Sequence, residues 1–125
     1  MDIAAHLERY IDIPGVEAAF LFGADGLLIS ATLREDADPT LINDPLPAIA
    51  AQATAYCQQI GELLVGEPRT ITIEGDAYTL VLQALPEENA FAALVADKGV
   101  NLGLLRLQSA RLRRDLLKCF ASDGD

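Results

Sequence analysis

The stretch VEAAFLFGADGLLIS, residues 16–30, sets two apolar runs on either side of Gly23-Ala-Asp-Gly26. Val16 to Phe22 and Leu27 to Leu33 are too short for helices of ordinary length and contain the Val, Phe and Ile that suit pleated backbone. The four residues between them are turn formers, and Asp25 and Gly26 both tolerate positive φ. The stretch therefore reads as a hairpin whose nearly continuous apolar strands are covered on both faces. It does not read as a phosphate loop: it lacks Gly-Lys-Ser/Thr, and a strand-like segment follows where a helix N-terminus would be needed.

Upstream, Ile3, Leu7, Tyr10 and Ile11 recur at helical spacing until Pro14-Gly15 stops the pattern. Downstream, Arg34 to Asn43 is polar and acidic and contains Pro39, which makes it a loop. Asp44 before Pro45 is a good helix start, and the helix runs to about Val65, ahead of Gly66 and Pro68. Arg69 to Glu74 alternates, with Ile71 and Ile73 on one face, and Gly75-Asp76 turns the chain into a strand from Tyr78 to Leu85. Pro86-Glu-Glu-Asn89 leads to a further strand, Ala90 to Ala96. Asn101 then caps a last helix to about Phe120, with Leu105, Leu112 and Leu116 among its apolar positions.

The order α-β-β-α-β-β-β-α admits one five-stranded antiparallel sheet, a hairpin plus a three-strand meander, with helices on both faces: an α/β sandwich. At 125 residues the chain is sized for one domain, expected over residues 1–121, with 122–125 a frayed acidic tail. No apolar run approaches the ~18 to 20 residues of a membrane span, and the first residues have no signal-peptide pattern. Cys57 and Cys119 lack metal-ligand spacing and read as reduced thiols, so a cytoplasmic protein is expected.

A net charge of -10 opposes attraction to nucleic acid or anionic lipid, and neither is expected as a partner. The charge is uneven: residues 1–100 carry 16 acids and 4 bases, whereas 101–125 carry 3 acids and 5 bases. Arg106, Arg111, Arg113, Arg114 and Lys118 make the last helix the one basic element, read as a solvated face complementing an acidic body. Catalytic chemistry finds no constellation. His6, the single histidine, stands beside Glu8 and Arg9 and reads as solvated. Glu35, Asp36 and Asp38 lack the ligand alternation of a calcium loop, and no cofactor or metal is expected.

The middle helix is the most informative element. Leu46, Ile49, Ala50, Ala53, Cys57, Ile60 and Leu64 form a stripe able to pack on a sheet. The opposite face, Ala48, Ala51, Gln52, Ala55, Gln58 and Gln59, is small and uncharged. Charged residues are 22% of the chain, yet none occurs from Pro45 through Gly61. An outer face of this kind lets another helix approach closely and reads as a protein interface. Arg69 to Glu74, if at a sheet edge, could pair with a second copy of itself, so a two-fold dimer would use both features.

Ile13-Pro-Gly-Val16, Phe20-Leu-Phe-Gly-Ala-Asp-Gly-Leu27, Ile60-Gly-Glu-Leu-Leu64, Arg69-Thr-Ile-Thr-Ile-Glu-Gly75 and Asn101-Leu-Gly-Leu-Leu-Arg106 occur in an order and spacing that resemble the roadblock (dynein light chain) family. The resemblance spans roughly residues 3 to 118. It implies a similar sandwich that dimerises by pairing middle helices and third strands about a two-fold axis. Carried over by position, it puts Ala48, Ala51, Gln52, Ala55, Gln59, Ile71 and Ile73 at or near that interface. It also implies a noncatalytic homodimer that binds and regulates a small Ras-like GTPase by repositioning the GTPase's own residues. The alternative is a scaffold subunit of a larger assembly with no effect on GTP hydrolysis. A small-molecule sensor would need convergent polar groups that the sequence does not identify.

Overall fold

The computed structural model describes residues 3–38, 40, 45–64, 66 and 69–123, except for the side chains of 45–51, 54, 58, 62, 122 and 123. Helix α1 (Ile3–Ile11) precedes β1 (Val16–Gly23) and β2 (Leu28–Leu33); α2 (Pro45–Leu64) precedes β3 (Thr70–Glu74), β4 (Tyr78–Leu85) and β5 (Ala90–Asp97); α3 (Leu102–Asp123) closes the order. The five strands form one sheet in the order β2-β1-β5-β4-β3. Every neighbouring pair is antiparallel, and β1 against β5 joins the hairpin to the meander, with Phe20 opposite Ala93.

Side-chain alternation divides the core in two. On one face Leu7 and Tyr10 of α1 and Leu105, Leu112 and Leu116 of α3 pack over Val16, Leu21, Val81 and Leu94. On the other, Ala53 of α2 packs over Phe20, Phe22, Leu82 and Phe91, with Cys57 against the same cluster. The central strands β1 and β5 are thus buried on both faces, which is why they read as continuous apolar runs. The edge strand β2 departs from expectation: Leu28 and Ile29 are exposed, so the hairpin is not covered on both faces along its outer strand.

The hairpin turn works differently from the sequence reading. Only Gly26 takes positive φ, at 89°. Asp25 acts through its side chain, whose Oδ1 accepts the Leu27 N–H at 2.9 Å. A 3-10 turn (Pro86–Glu88) ends in Asn89 at φ 48°, and the Asn89 carbonyl accepts the Ala24 N–H at 2.8 Å, tying the two turns together. Asn101 caps α3 as expected, Oδ1 accepting from Leu104 N–H at 3.0 Å. The proposed Asp44 cap lies outside the described residues. Helix α3 continues to Asp123, past Phe120 and into the stretch read as a tail.

Two further expectations change. His6 is buried, at 8% exposure, rather than solvated, with Nδ1 3.4 Å from the Arg9 guanidinium one turn along α1. The loop after β2 is fastened at its start: Arg34 bonds both Asp36, at 2.8 Å, and Glu17, whose carboxylate is nearly buried on β1. A buried carboxylate without a cation would be strongly unfavourable, so this pair fixes the loop's departure from the sheet.

Candidate interaction surface

Strand β3 lies at the end of the sheet, paired with β4 alone. Its five residues leave one row of backbone N–H and C=O groups without a strand partner among the described residues. Side chains alternate, so Thr70 points to the α3 face while Ile71 and Ile73 point to the α2 face. Ile71 reaches the apolar cluster under α2. Ile73, two residues further along the strand, does not, and is 52% exposed.

Helix α2 runs over this face. Its Ala53 is buried on the sheet, and the helix offers Gln52, the preceding residue, and Tyr56, about one turn further on, toward β3. Gln52, Ala53 and Tyr56 enclose, with Ile71, Ile73 and Leu82, an open groove of about 380 Å³. Tyr56 is 48% exposed, and Leu63 and Leu64 at the end of α2 are exposed as well. Leu64 therefore does not complete the sheet-packing stripe read from the sequence. A large apolar side chain exposed singly is unremarkable; several beside an open strand edge and a helix without charge up to Gly61 make a surface suited to a partner.

The seven residues expected at an interface are placed as follows. Gln52, Ile71 and Ile73 converge on the groove. Ala55 and Gln59 are exposed on α2 without lining it. Ala48 and Ala51 have side chains outside the described residues. Tyr56 was missed, although its signal is visible: it is the single aromatic residue of the uncharged run and stands four residues after Gln52.

Elsewhere, ionisable groups are engaged structurally. The Arg34 guanidinium bonds Asp36 and holds its carboxyl below the usual carboxylate range, while that bond raises Arg34. Asp38 is held low by the Thr40 N–H and hydroxyl, at 2.9 and 2.8 Å. Burial first, and then the hydrogen bond to Asp115 at 2.7 Å, push the Tyr10 phenol well above its ordinary value. Among the described residues no group of three or more His, Cys, Asp or Glu could hold a metal ion, and no helix is long and apolar enough to cross a membrane.

The fold is shared with solved structures. A Roadblock/LC7 domain from Streptomyces avermitilis superposes with a TM-score of 0.74 at 19% identity, over 97% of this chain and 99% of that one. MglB of Myxococcus xanthus gives 0.80 at 22% identity, over 96% and 95% of the two chains. The gliding protein MglB from Thermus thermophilus gives 0.73 at 20% identity, over 89% and 82%. No curated protein matches the sequence. The family model for the Roadblock/LC7 domain matches residues 2–96, which takes in α1, α2, β1 to β4 and β5 as far as Ala96, and the chain belongs to that family.

Proposed function

We propose that this chain forms a homodimer across the α2 and β3 surface and that the dimer binds and regulates a small Ras-like GTPase in the cytoplasm. The observation that carries the dimer is the exposed Tyr56 of α2 and Ile73 of β3 beside the open β3 edge, with no charged residue on α2 before Glu62. A two-fold axis through that edge pairs β3 with β3, lays α2 against α2, and covers the apolar groups in one step. Ala48, Ala51, Gln52, Ala55, Gln59, Ile71 and Ile73 are the proposed contacts, joined by Tyr56.

The GTPase as partner rests on membership of the Roadblock/LC7 family. Regulation would act through the GTPase's own catalytic residues. An arginine finger would be worth roughly 10³ to 10⁵ in rate. Arg34 already pairs with Glu17 and Asp36, and nothing distinguishes the exposed Arg69 from an ordinary surface arginine, so no finger is nominated.

A scaffold without effect on hydrolysis is the second reading, favoured by the opposite sheet edge, where Leu27 and Ile29 are also exposed. The test mixes the purified dimer with small Ras-like GTPases of the same organism, loaded with GTP or GDP, and measures co-elution and single-turnover hydrolysis. Nucleotide-dependent binding with faster hydrolysis is expected. Binding with unchanged hydrolysis selects the scaffold, and no binding in either state contradicts the proposal.

A further inference from the structure

Helix α3 buries Leu105, Ser109, Leu112, Leu116 and Cys119 against the sheet. Its opposite side carries Leu104, Leu107, Arg111, Arg114 and Lys118, spaced three, four, three and four residues apart. That is the spacing of a heptad seam, here facing outward. All five are exposed, Leu107 at 52%. The stripe is about 21 Å long at ~1.5 Å per residue, apolar over its first turns and cationic over the rest.

The cations are solvent-exposed, as the sequence suggested, and Arg111 lies near enough to Tyr10 to act on its phenol. Among the described residues the ion pairs fall on Arg34, and none reaches Arg111, Arg114 or Lys118. Asp115, the acid nearest them in sequence, already accepts the Tyr10 hydroxyl. Arg113 lies off the stripe and donates through Nε to the Ala84 carbonyl at 2.9 Å, which shows what an arginine of this helix does when it serves the fold.

We propose that this stripe is a docking surface for an acidic amphipathic helix of a partner protein, with leucine-like side chains seated on Leu104 and Leu107 and carboxylates on Arg111, Arg114 and Lys118. Charge complementarity selects the occupant. Exposed cations in a chain of net charge -10 attract a local anionic partner, whereas the whole molecule is repelled by an extended anionic surface such as a membrane or nucleic acid. The surface is independent of the proposed dimer, because α3 packs on the sheet face opposite α2. Both could be occupied together.

The test uses a synthetic three-heptad peptide with leucine at two successive core positions and glutamate at the next three, made in both chain directions, and its counterpart with lysine for glutamate. Binding to the full chain is followed by fluorescence anisotropy at low and high salt. The acidic peptide should bind, weaken with salt, and lose on the order of tenfold or more in affinity on Arg111→Glu with Arg114→Glu. The lysine peptide should bind that double variant better than the wild type. Because both substitutions are at exposed positions, circular dichroism and mass by light scattering should not change. The proposal is overturned if the wild type binds neither peptide or if the double reversal leaves acidic binding intact. It is equally overturned if the stripe retains only anionic vesicles, or if it drives self-association without peptide.

Discussion

Gln83 on β4 donates its side-chain amide to the Ser109 hydroxyl on α3 at 2.9 Å, and both residues are almost wholly buried. The same glutamine accepts from the Thr70 hydroxyl at 3.0 Å, and Ser109 donates to the Arg106 carbonyl at 2.9 Å. A chain of hydrogen bonds thus runs from the proposed dimer strand to the helix that carries the basic stripe.

Removing one partner of this chain should cost more than its length suggests. Ser109→Ala leaves the buried Gln83 amide without its acceptor, and about 1 to 3 kcal/mol of stability should be lost in urea unfolding, with the slope unchanged. Thr70 is exposed, so Thr70→Val should cost about 0.5 kcal/mol or less. Equal losses in the two variants would contradict the buried network.

Tyr10 gives a prediction in alkali. Its folded-state pKa is raised, so the neutral phenol's contribution is fully present below the unfolded value of about 10 and is lost as pH rises above it. Tyr10→Phe should cost about 1 to 3 kcal/mol near pH 8, because the hydrogen bond to the Asp115 carboxylate is lost. The gap between wild type and variant should narrow as denaturant titrations are carried above pH 10. A gap that stays constant would contradict the assignment.

The loop acids behave oppositely. Asp36 and Asp38 have depressed folded-state values, so their contribution is present above the ordinary carboxylate range near pH 4 and is lost as pH falls through the folded values. Both are exposed, and the effect should be small and weakened by salt. Acid titration of Asp36→Asn against wild type in low and high salt checks this.

At the hairpin, Gly26→Ala meets a backbone at φ 89° and should destabilise by about 1 kcal/mol or more. Asp25→Ala, which loses the bond to Leu27 N–H, should cost less, about 0.5 to 1.5 kcal/mol. Thermal melts of both variants check the order.

Element order, sheet composition and the edge position of β3 were legible because period-two and helical patterns are local and Gly26, Gly75 and Asn101 punctuate them with turn and cap chemistry. The burial of His6 was not, because neighbouring Glu8 and Arg9 say nothing of how α1 is rotated against α3. Nor was the Arg34 pair with Glu17, which joins residues far apart in sequence through the β1–β2 register. The convergence of Gln52, Ile71 and Ile73 on one groove follows from a helix without charge up to Gly61 and an alternating strand. Tyr56 carries a visible signal as the single aromatic of the uncharged run, but only the groove shows that it is exposed, since a lone aromatic on an apolar helix reads equally well as core.

The central claim is the self-association surface, and light scattering on size-exclusion chromatography tests it most directly. At micromolar concentration the wild type should elute at twice the 13.4 kDa protomer mass, and Ala55→Glu with Ile73→Glu should elute at the protomer mass while keeping its helical circular dichroism. A wild type that stays at 13.4 kDa, or a double variant that remains a dimer, would contradict the account.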